Sequence, residues 1–458
     1  MAHVFGHEIV GAAAQHSARS RLCGELLERR LRAPRTQAER GASMTTIGIL
    51  GGGQLARMMI QARGAANLPM RLRVLTPRSS DPAGRLAGAE LLQEDLVLGD
   101  PRDPESLRAF LASVDVACFE SEFQPADQLR AASAGLAVEF RPSLNALATT
   151  QDKLEQKALY RRFEIPTSPW IELTASAGRS GRAALAFLQE REAREAVGEA
   201  PVLKWARLGY DGKGTFFCAV EPAADEEERL DRFLAAAAER ETPVFAERRV
   251  DFVRELAIVV SASRGGELCE YPLVISEQQH GICKRVYGPA VALGVDPARE
   301  EEARAAARRI AERLPLEGSF ALELFETVDG ALLVNEMAPR VHNSGHYSID
   351  ACHCSQFENH LRAVGGLALG SPALRERCFA MLNLLGDRRR RDPPRPQLPL
   401  DPKLIDHWYE KDESRPGRKL GHLNALAADE GALRTTLAAL DRADEAWLQR
   451  LASRDVSA

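Results

Sequence analysis

The stretch from Gly318 to Arg340, GSFALELFETVDGALLVNEMAPR, constrains this chain more than any other. Two apolar, β-prone runs flank Asp329-Gly330, a strong short-range signal for a hairpin. If Asp329-Gly330 is a two-residue turn, Val328 faces Ala331, Phe325 faces Val334, and Glu323 lands opposite Glu336. A four-residue loop on the same centre keeps that pairing; a three-residue loop slips it by one. Like charges directly opposite on a sheet are unfavourable by about 0.2–1 kcal/mol, so packing gives no reason for the pair. A shared proton or a bound cation would relieve it. Hard oxygen ligands on a rigid hairpin suit Mg²⁺, which takes one or two carboxylates plus substrate phosphates. The plainer alternative is that one glutamate points to solvent at the strand end. The hairpin alone leaves both open.

A chain of 458 residues has room for two to four domains with cores of their own. A hydrophobic share of 45% and a charged share of 27% are ordinary for a globular protein. The net charge of −5 exerts no general pull on nucleic acid or on an acidic membrane, so any anion site must be locally basic. The cysteines at 23, 118, 218, 269, 283, 352, 354 and 378 show neither disulfide nor zinc spacing. Cys352-His353-Cys354 lacks a second ligand pair, and the pattern reads as neutral thiols in a reducing, cytoplasmic setting. No apolar run approaches the length of a membrane span. Residues 1–43 carry seven arginines and four glutamates, no strand-like run and no signal-peptide core. They read as an extension without catalytic content, dispensable for stability and activity.

Thr45–Leu50 reads as a strand, Gly51-Gly52-Gly53 as a turn, Gln54–Ala65 as a helix and Leu72–Leu75 as a second strand, a βαβ opening. Glycines there let backbone N–H groups approach an anion at a helix N-terminus. No complete G-x-G-x-x-G is in register, so the turn suits the phosphate of some other ligand, or no ligand at all. Val114–Phe119 is a further strand, and Glu120-Ser121-Glu122 follows where open α/β sheets bind ligands. Ser143 is an N-cap candidate for a helix running to about Arg162. After a strand at Pro201–Trp205, the run Gly209-Tyr210-Asp211-Gly212-Lys213-Gly214-Thr215 makes a flexible, cationic loop. Its backbone can fold over a polyphosphate with Lys204 reaching in; a plain hairpin loop is the alternative. It is not a P-loop, since no G-K-[ST] opens a helix. Strands are expected at 244–250, 255–261 and 270–275, and a helix at 297–313. Val341–Tyr347 is too polar for a core, 356–364 is helical, and Arg388–Arg391 reads as part of a surface linker. Lys411 and Arg415–Lys419 cluster cations in a short loop suited to a phosphate monoester.

Three of these runs, GYDGKG, NEMAPRVHNSGH and RPGRKLGH, together resemble one family closely: the ATP-grasp 5-(carboxyamino)imidazole ribonucleotide synthases of purine biosynthesis. The opening GGGQLARM, Ser355–Glu358 and Leu361–Ala363 match as well, so the similarity runs from about Met44 through the tail. The resemblance implies an α/β and α+β protein with an ATP-grasp fold. On that resemblance, residues 44–142 are expected to form a Rossmann-like preATP-grasp domain, 143–386 the ATP-grasp domain with a lid subdomain at about 151–250, and 387–458 a small C-terminal domain. It implies ATP-dependent carboxylation of aminoimidazole ribonucleotide on its exocyclic amine with bicarbonate, with ATP and Mg²⁺ bound. A homodimer, no nucleic acid and no membrane partner are implied too.

By the same resemblance, Glu323 and Glu336 are the Mg²⁺ ligands, and Arg340, Lys204 and Asp211 have catalytic roles. The ATP set comprises Lys153, Lys204, Gly209 to Thr215, Glu247, Arg248, Arg249, Val250, Glu255, Gln278, Asn335 and Glu336. Asn335 matches a nucleotide-contacting position, although in a regular strand it faces away from Glu336. The ribonucleotide set comprises Gln54, Leu55, Glu120, His342, Asn343, Ser344, Lys411, Arg418 and Lys419. The chain departs from the family pattern at Lys153, where arginine is usual, at Gln278 in a histidine position, at Thr215 for glutamine, and at Tyr347-Ser348 for Trp-Thr. Bicarbonate is a poor electrophile, so the implied route forms carboxyphosphate at the γ-phosphate of ATP and shields it from water. The rivals are a formate-using ATP-grasp ligase acting on glycinamide ribonucleotide, and a silent nucleotide-binding sensor of purine intermediates.

Overall fold

Five parallel strands open the chain, ordered Leu96–Leu98, Arg71–Thr76, Thr46–Leu50, Val116–Phe119, Glu139–Phe140. Their apolar residues, Ile47, Ile49, Val74, Val116 and Cys118, pack with Leu55, Met58 and Met59 of the helix Gln54–Ala65. This computed structural model describes residues 44–209, 214–221, 223–393, 395 and 403–453. Residues 1–43, and the expectation made for them, lie outside that set. The described residues of Thr45–Ala134 and Val138–Ala458 form one compact unit.

A small antiparallel sheet follows, ordered Trp170–Glu172, Val244–Glu247, Val202–Trp205, Thr215–Phe217. The largest sheet is antiparallel and runs Leu332–Ala338, Gly318–Thr327, Phe252–Ala262, Val274–Gln279, Ile282–Gly288, Cys378–Leu385, Lys419–Ala427, Leu404–Trp408. One face of its first strands packs Leu256, Ile258, Phe320, Leu322 and Leu324 against Ala303, Ala307 and Ile310 of the helix Pro297–Ala311. At the other end, Leu433, Leu440 and Trp447 of the helix Glu430–Ser453 cover Leu382, Leu420 and Leu423. The expected boundary between 386 and 387 therefore falls between strands of one continuous sheet.

The hairpin closes differently from the two-residue turn. Thr327 N donates to Ala331 O (2.9 Å) and Gly330 N to Thr327 O (2.9 Å), giving a three-residue loop with Gly330 at φ +82°. A type I turn ending in a left-handed glycine takes one residue more than a primed turn. Leu324 accordingly pairs with Val334 and Phe325 with Leu333, so the expected Phe325–Val334 and Val328–Ala331 pairs do not form. A bulge at Asn335 then absorbs the slip, and the ladder resumes as Glu323–Glu336, Leu322–Met337 and Ala321–Ala338. The glutamates do face each other, by way of an extra residue.

Other boundaries move for local reasons. The helix expected from Ser143 to about Arg162 is two helices, Leu144–Gln151 and Lys153–Arg162. Asp152 breaks it: its backbone is extended, and its carboxylate accepts from Leu154 N (2.9 Å) while Arg207 Nε donates to its other oxygen (2.7 Å). Ser143 is the expected cap, accepting from Ala146 N at 3.2 Å. The strand expected at 244–250 stops at Glu247, and the one at 270–275 divides between Leu268–Glu270 and Val274–Gln279. Arg390–Arg391, expected in a linker, pairs with Glu413–Ser414 as a short ribbon.

Candidate active site

One cleft of about 1870 Å³ collects nearly all the residues singled out above. At one end lies the glycine turn. A Cβ on Gly53 would come within 2.1 Å of Glu120 Oε1, so the turn is glycine because the Glu120 carboxylate presses into it. Leu55 N donates to Glu120 Oε1 at 3.3 Å. The anion received by this helix N-terminus is thus the protein's own carboxylate. Burial pushes Glu120 above its ordinary pKa, against Leu55 N–H, Arg340 and Lys411. Gln54 Oε1 accepts from Lys411 Nζ (2.6 Å), which also donates to the carbonyl of Lys419 (2.6 Å). Burial, with Arg418 adding repulsion, pushes Lys411 down to about 7. Arg418 donates to Glu413 O at 2.7 Å, and Arg415, Arg418 and Lys419 line this end of the cleft. Sequence spacing had already grouped these cations; the sheet pairing of 419–427 brings them beside the glycine turn.

The middle is built on the strand end at Ala338. Arg340 Nη2 donates to Glu122 Oε1 at 2.8 Å, and its Nε engages the second oxygen. Burial alone would raise Glu122, but the guanidinium holds it below the usual carboxylate range. His342 Nδ1 lies 2.8 Å from Ser344 Oγ and accepts from Ser344 N at 3.3 Å. A neutral ring so held carries its proton on Nε2, which stands 3.3 Å from Glu323 Oε1. Asn343 is buried, its amide exchanged with that of Asn383 (2.7 and 3.1 Å) and donated to His346 Nδ1 (3.2 Å). Its side chain ties the loop to Asn383 and His346, and Asn343 itself lines the cleft. Ser344, also buried, orients the His342 ring.

At the other end, Glu336 meets Lys153 Nζ, and burial with the nearby Lys204 pushes Lys153 down to about 8. Lys204 Nζ donates to Asn335 Oδ1 at 3.1 Å and pairs with Glu247 Oε1. The bulge answers the question of Asn335: as the extra residue it lies on the same face as Glu336. Glu247 is buried, and its second oxygen is 2.9 Å from Lys157 Nζ. Burial would raise it, but the two lysines hold it down to about 2. Glu255 is pushed up to about 7 by burial and by Glu323, against a hydrogen bond from Gln278. Glu323 itself is held below its ordinary value, His342 and Lys153 outweighing burial. Among the described residues, no group of three His, Cys, Asp or Glu forms a metal site by itself.

The remaining predicted residues divide. Gly209, Gly214, Thr215, Arg249 and Val250 line the cleft, whereas Tyr210, Asp211, Gly212 and Lys213 lie outside the described residues. Arg248 turns its guanidinium to the carbonyls of Glu195 (2.8 Å) and Ala196 (2.9 Å). Gln278 donates to Ser276 Oγ at 2.9 Å. Sequence reasoning left out Glu122 and Lys157. The first stood in the strand-end run Glu120-Ser121-Glu122; the second sits one helical turn from Lys153, a spacing that could have flagged it. The seven cysteines among the described residues are all buried and unbridged. Among the described residues, no helix is long and apolar enough to cross a membrane.

Known proteins share the domain order and the fold. Sequence profiles match in chain order: the ribonucleotide synthetase preATP-grasp domain over residues 44–151, the ATP-grasp domain over 159–357, and the phosphoribosylaminoimidazole carboxylase C-terminal domain over 380–436. The N5-carboxyaminoimidazole ribonucleotide synthase of Synechococcus elongatus is 37% identical over 82% of this chain and 88% of its own. The carboxyaminoimidazole ribonucleotide synthase of Aspergillus clavatus, solved with ATP, superposes with a TM-score of 0.74 at 28% identity, covering 88% of this chain and 99% of that one. The A. clavatus enzyme solved with ADP and 5-aminoimidazole ribonucleotide gives a TM-score of 0.73 at 28% identity and the same coverage. With three domains matched in order and a relative similar over most of both lengths, the chain belongs to the N5-carboxyaminoimidazole ribonucleotide synthase family.

Proposed function

We propose that this chain carboxylates 5-aminoimidazole ribonucleotide on its exocyclic amine with ATP and bicarbonate, through carboxyphosphate. One observation carries the reading: the cleft is about 1870 Å³, against roughly 300–1,000 Å³ for a single small-molecule site, and has cationic groups at both ends. Two phosphorylated ligands fit such a space. Lys153 and Lys204 face the polyphosphate of ATP, and Lys411 and Arg418 the monoester of the ribonucleotide. Arg340 stands between them, on the residue run that joins the hairpin to the His342 loop. The names and bound ligands of the A. clavatus structures support this reading over a formate-dependent one on glycinamide ribonucleotide.

Glu323 and Glu336 fit a hard divalent cation: they face each other, and each now leans on a positive or proton-donating neighbour, Lys153 or His342. These two carboxylates would hold Mg²⁺, which would supply positive charge to offset that of the phosphates. An oxygen of bicarbonate attacks the γ-phosphorus and ADP departs; Lys153 and Lys204 stabilise the negative charge that develops. The amine then attacks the carboxyl carbon, phosphate leaves, and one amine proton is lost. Arg340, anchored by Glu122, is placed to hold the mixed anhydride. ADP release should require both aminoimidazole ribonucleotide and bicarbonate. Turnover with formate and glycinamide ribonucleotide instead would overturn the substrate assignment, and no ADP release under either condition would favour a silent sensor.

A further inference from the structure

Lys157 stands one turn beyond Lys153 on the helix Lys153–Arg162 and is only 2% exposed. A buried ammonium is costly unless paired and hydrogen-bonded. Lys157 is both: its Nζ lies 2.9 Å from Glu247 Oε2 and donates to Thr167 Oγ1 at 2.7 Å. Thr167 in turn donates to the carbonyl of Val334 at 2.7 Å, the residue just before the Asn335 bulge. The other oxygen of Glu247 meets Lys204. One buried carboxylate is therefore shared by two ammonium groups, and the deeper of the two is absent from the lining of the cleft.

The charge count gives this arrangement a consequence. Two ammonium groups and one carboxylate leave a surplus of one positive charge, carried at the cleft by Lys204. Without Lys157, Glu247 and Lys204 would cancel, and Lys204 would have little charge left for a ligand. We propose that Lys157 is a positioning residue for nucleotide phosphates: by occupying one oxygen of Glu247 it keeps Lys204 available to a ligand. The inference rests on the reading of Lys204 as a phosphate contact. The strong downward hold on Glu247 by both lysines agrees with the shared carboxylate.

The test is a double-variant cycle in the full chain, read as ADP affinity by calorimetry. Lys157→Met should weaken ADP binding at least tenfold. In a Glu247→Gln background the same change should alter affinity less than threefold, because no carboxylate remains to be held. A buried lysine that only supports the fold would produce the same loss in both backgrounds, and that result overturns the proposal. So does Lys157→Met with affinity within threefold of the parent. If Lys157→Met does not fold, the comparison of Glu247→Gln with the double variant decides alone: a tenfold loss there overturns it. Lys204→Met separates the two levels. Lost ADP affinity in Lys204→Met with none lost in Lys157→Met refutes the role of Lys157 only, whereas unchanged affinity in Lys204→Met removes the phosphate site itself and this proposal with it.

Discussion

Deleting a residue from a strand interior normally turns every later side chain to the wrong face. Deleting Asn335 should not. Leu324 pairs with Val334, and Glu323 with Glu336, so without the bulged residue the ladder becomes continuous and Glu336 follows Val334 in regular alternation. Val334 and Met337 stay in the core where they are now. The variant loses one hydrogen bond, from Lys204 Nζ at 3.1 Å. A bond to a charged donor contributes about 1.5–3 kcal/mol, but Lys204 keeps Glu247 as a partner, which brings the expected cost to roughly 1 kcal/mol. Deleting Leu333 makes the contrast: Val334 would turn out and Asn335 would face Leu324 in the core. Exposing the valine costs about 1.5–3 kcal/mol, and burying the amide unpaired about 1–3 kcal/mol more. Urea unfolding of the two variants checks this, and a nucleotide titration should show at least a tenfold loss for the Asn335 deletion, equal to about 1.4 kcal/mol. If the Asn335 deletion is as unstable as the Leu333 deletion, the bulge is not a simple insertion and the register argument is wrong.

Glu323→Gln and Glu336→Gln each remove a charge without changing shape, so ADP release should collapse while both variants melt near the parent temperature; undiminished turnover across Mg²⁺ concentrations would discount the metal site. Gly53→Ala places a Cβ 2.1 Å from Glu120 Oε1, and displacing that carboxylate should raise the KM for the ribonucleotide about tenfold or more, a factor worth about 1.4 kcal/mol. ADP affinity should stay unchanged, and steady-state kinetics with calorimetry can tell the two apart. Lys411, pushed down to about 7, is largely neutral at pH 8; a phosphate beside it favours the ammonium form and raises its pKa. Ribonucleotide binding at pH 8 should therefore take up a proton and weaken as pH rises from 7 to 9. Calorimetry in two buffers of different ionisation enthalpy measures that uptake, and none would refute the placement of Lys411.

Much of the fold was legible wherever one residue type decides the backbone. Gly51–Gly53 ended the first strand and opened a helix whose bounds, Gln54–Ala65, are those expected. Ser143 capped where a serine before an apolar run should. The facing glutamates were expected from a two-residue turn at Asp329-Gly330; the loop has three residues, and the bulge at Asn335 restores the pairing. The misses share a cause. Asp152 looked like one more polar residue on a helix, and only its bonds to Leu154 and Arg207 reveal a cap. The strands Ile282–Gly288, Cys378–Leu385 and Lys419–Ala427 have no pattern of their own strong enough to stand alone, and their pairing in one sheet settles them.

The site was legible as a set of charges and not as a set of pairs. Lys204, Lys153, Glu336 and Glu247 could each be singled out by type and position, but local sequence does not say which carboxylate meets which ammonium. Glu247 was expected to face the nucleotide base, yet both its oxygens are held by lysines. Asn343 was expected to meet the ribonucleotide, yet its amide is bound on both sides by Asn383 and His346. Both residues line the cleft, and each also holds a partner in place there. The reason is general: a cleft carrying this many like charges on both walls is stable only if a second layer of polar groups fixes each one's orientation, because a half-paired buried charge costs more than an apolar substitute. That second layer comes from segments far apart in the chain, Lys157 with Glu247 and Asn343 with Asn383, so it becomes visible only when the sheets bring those segments together.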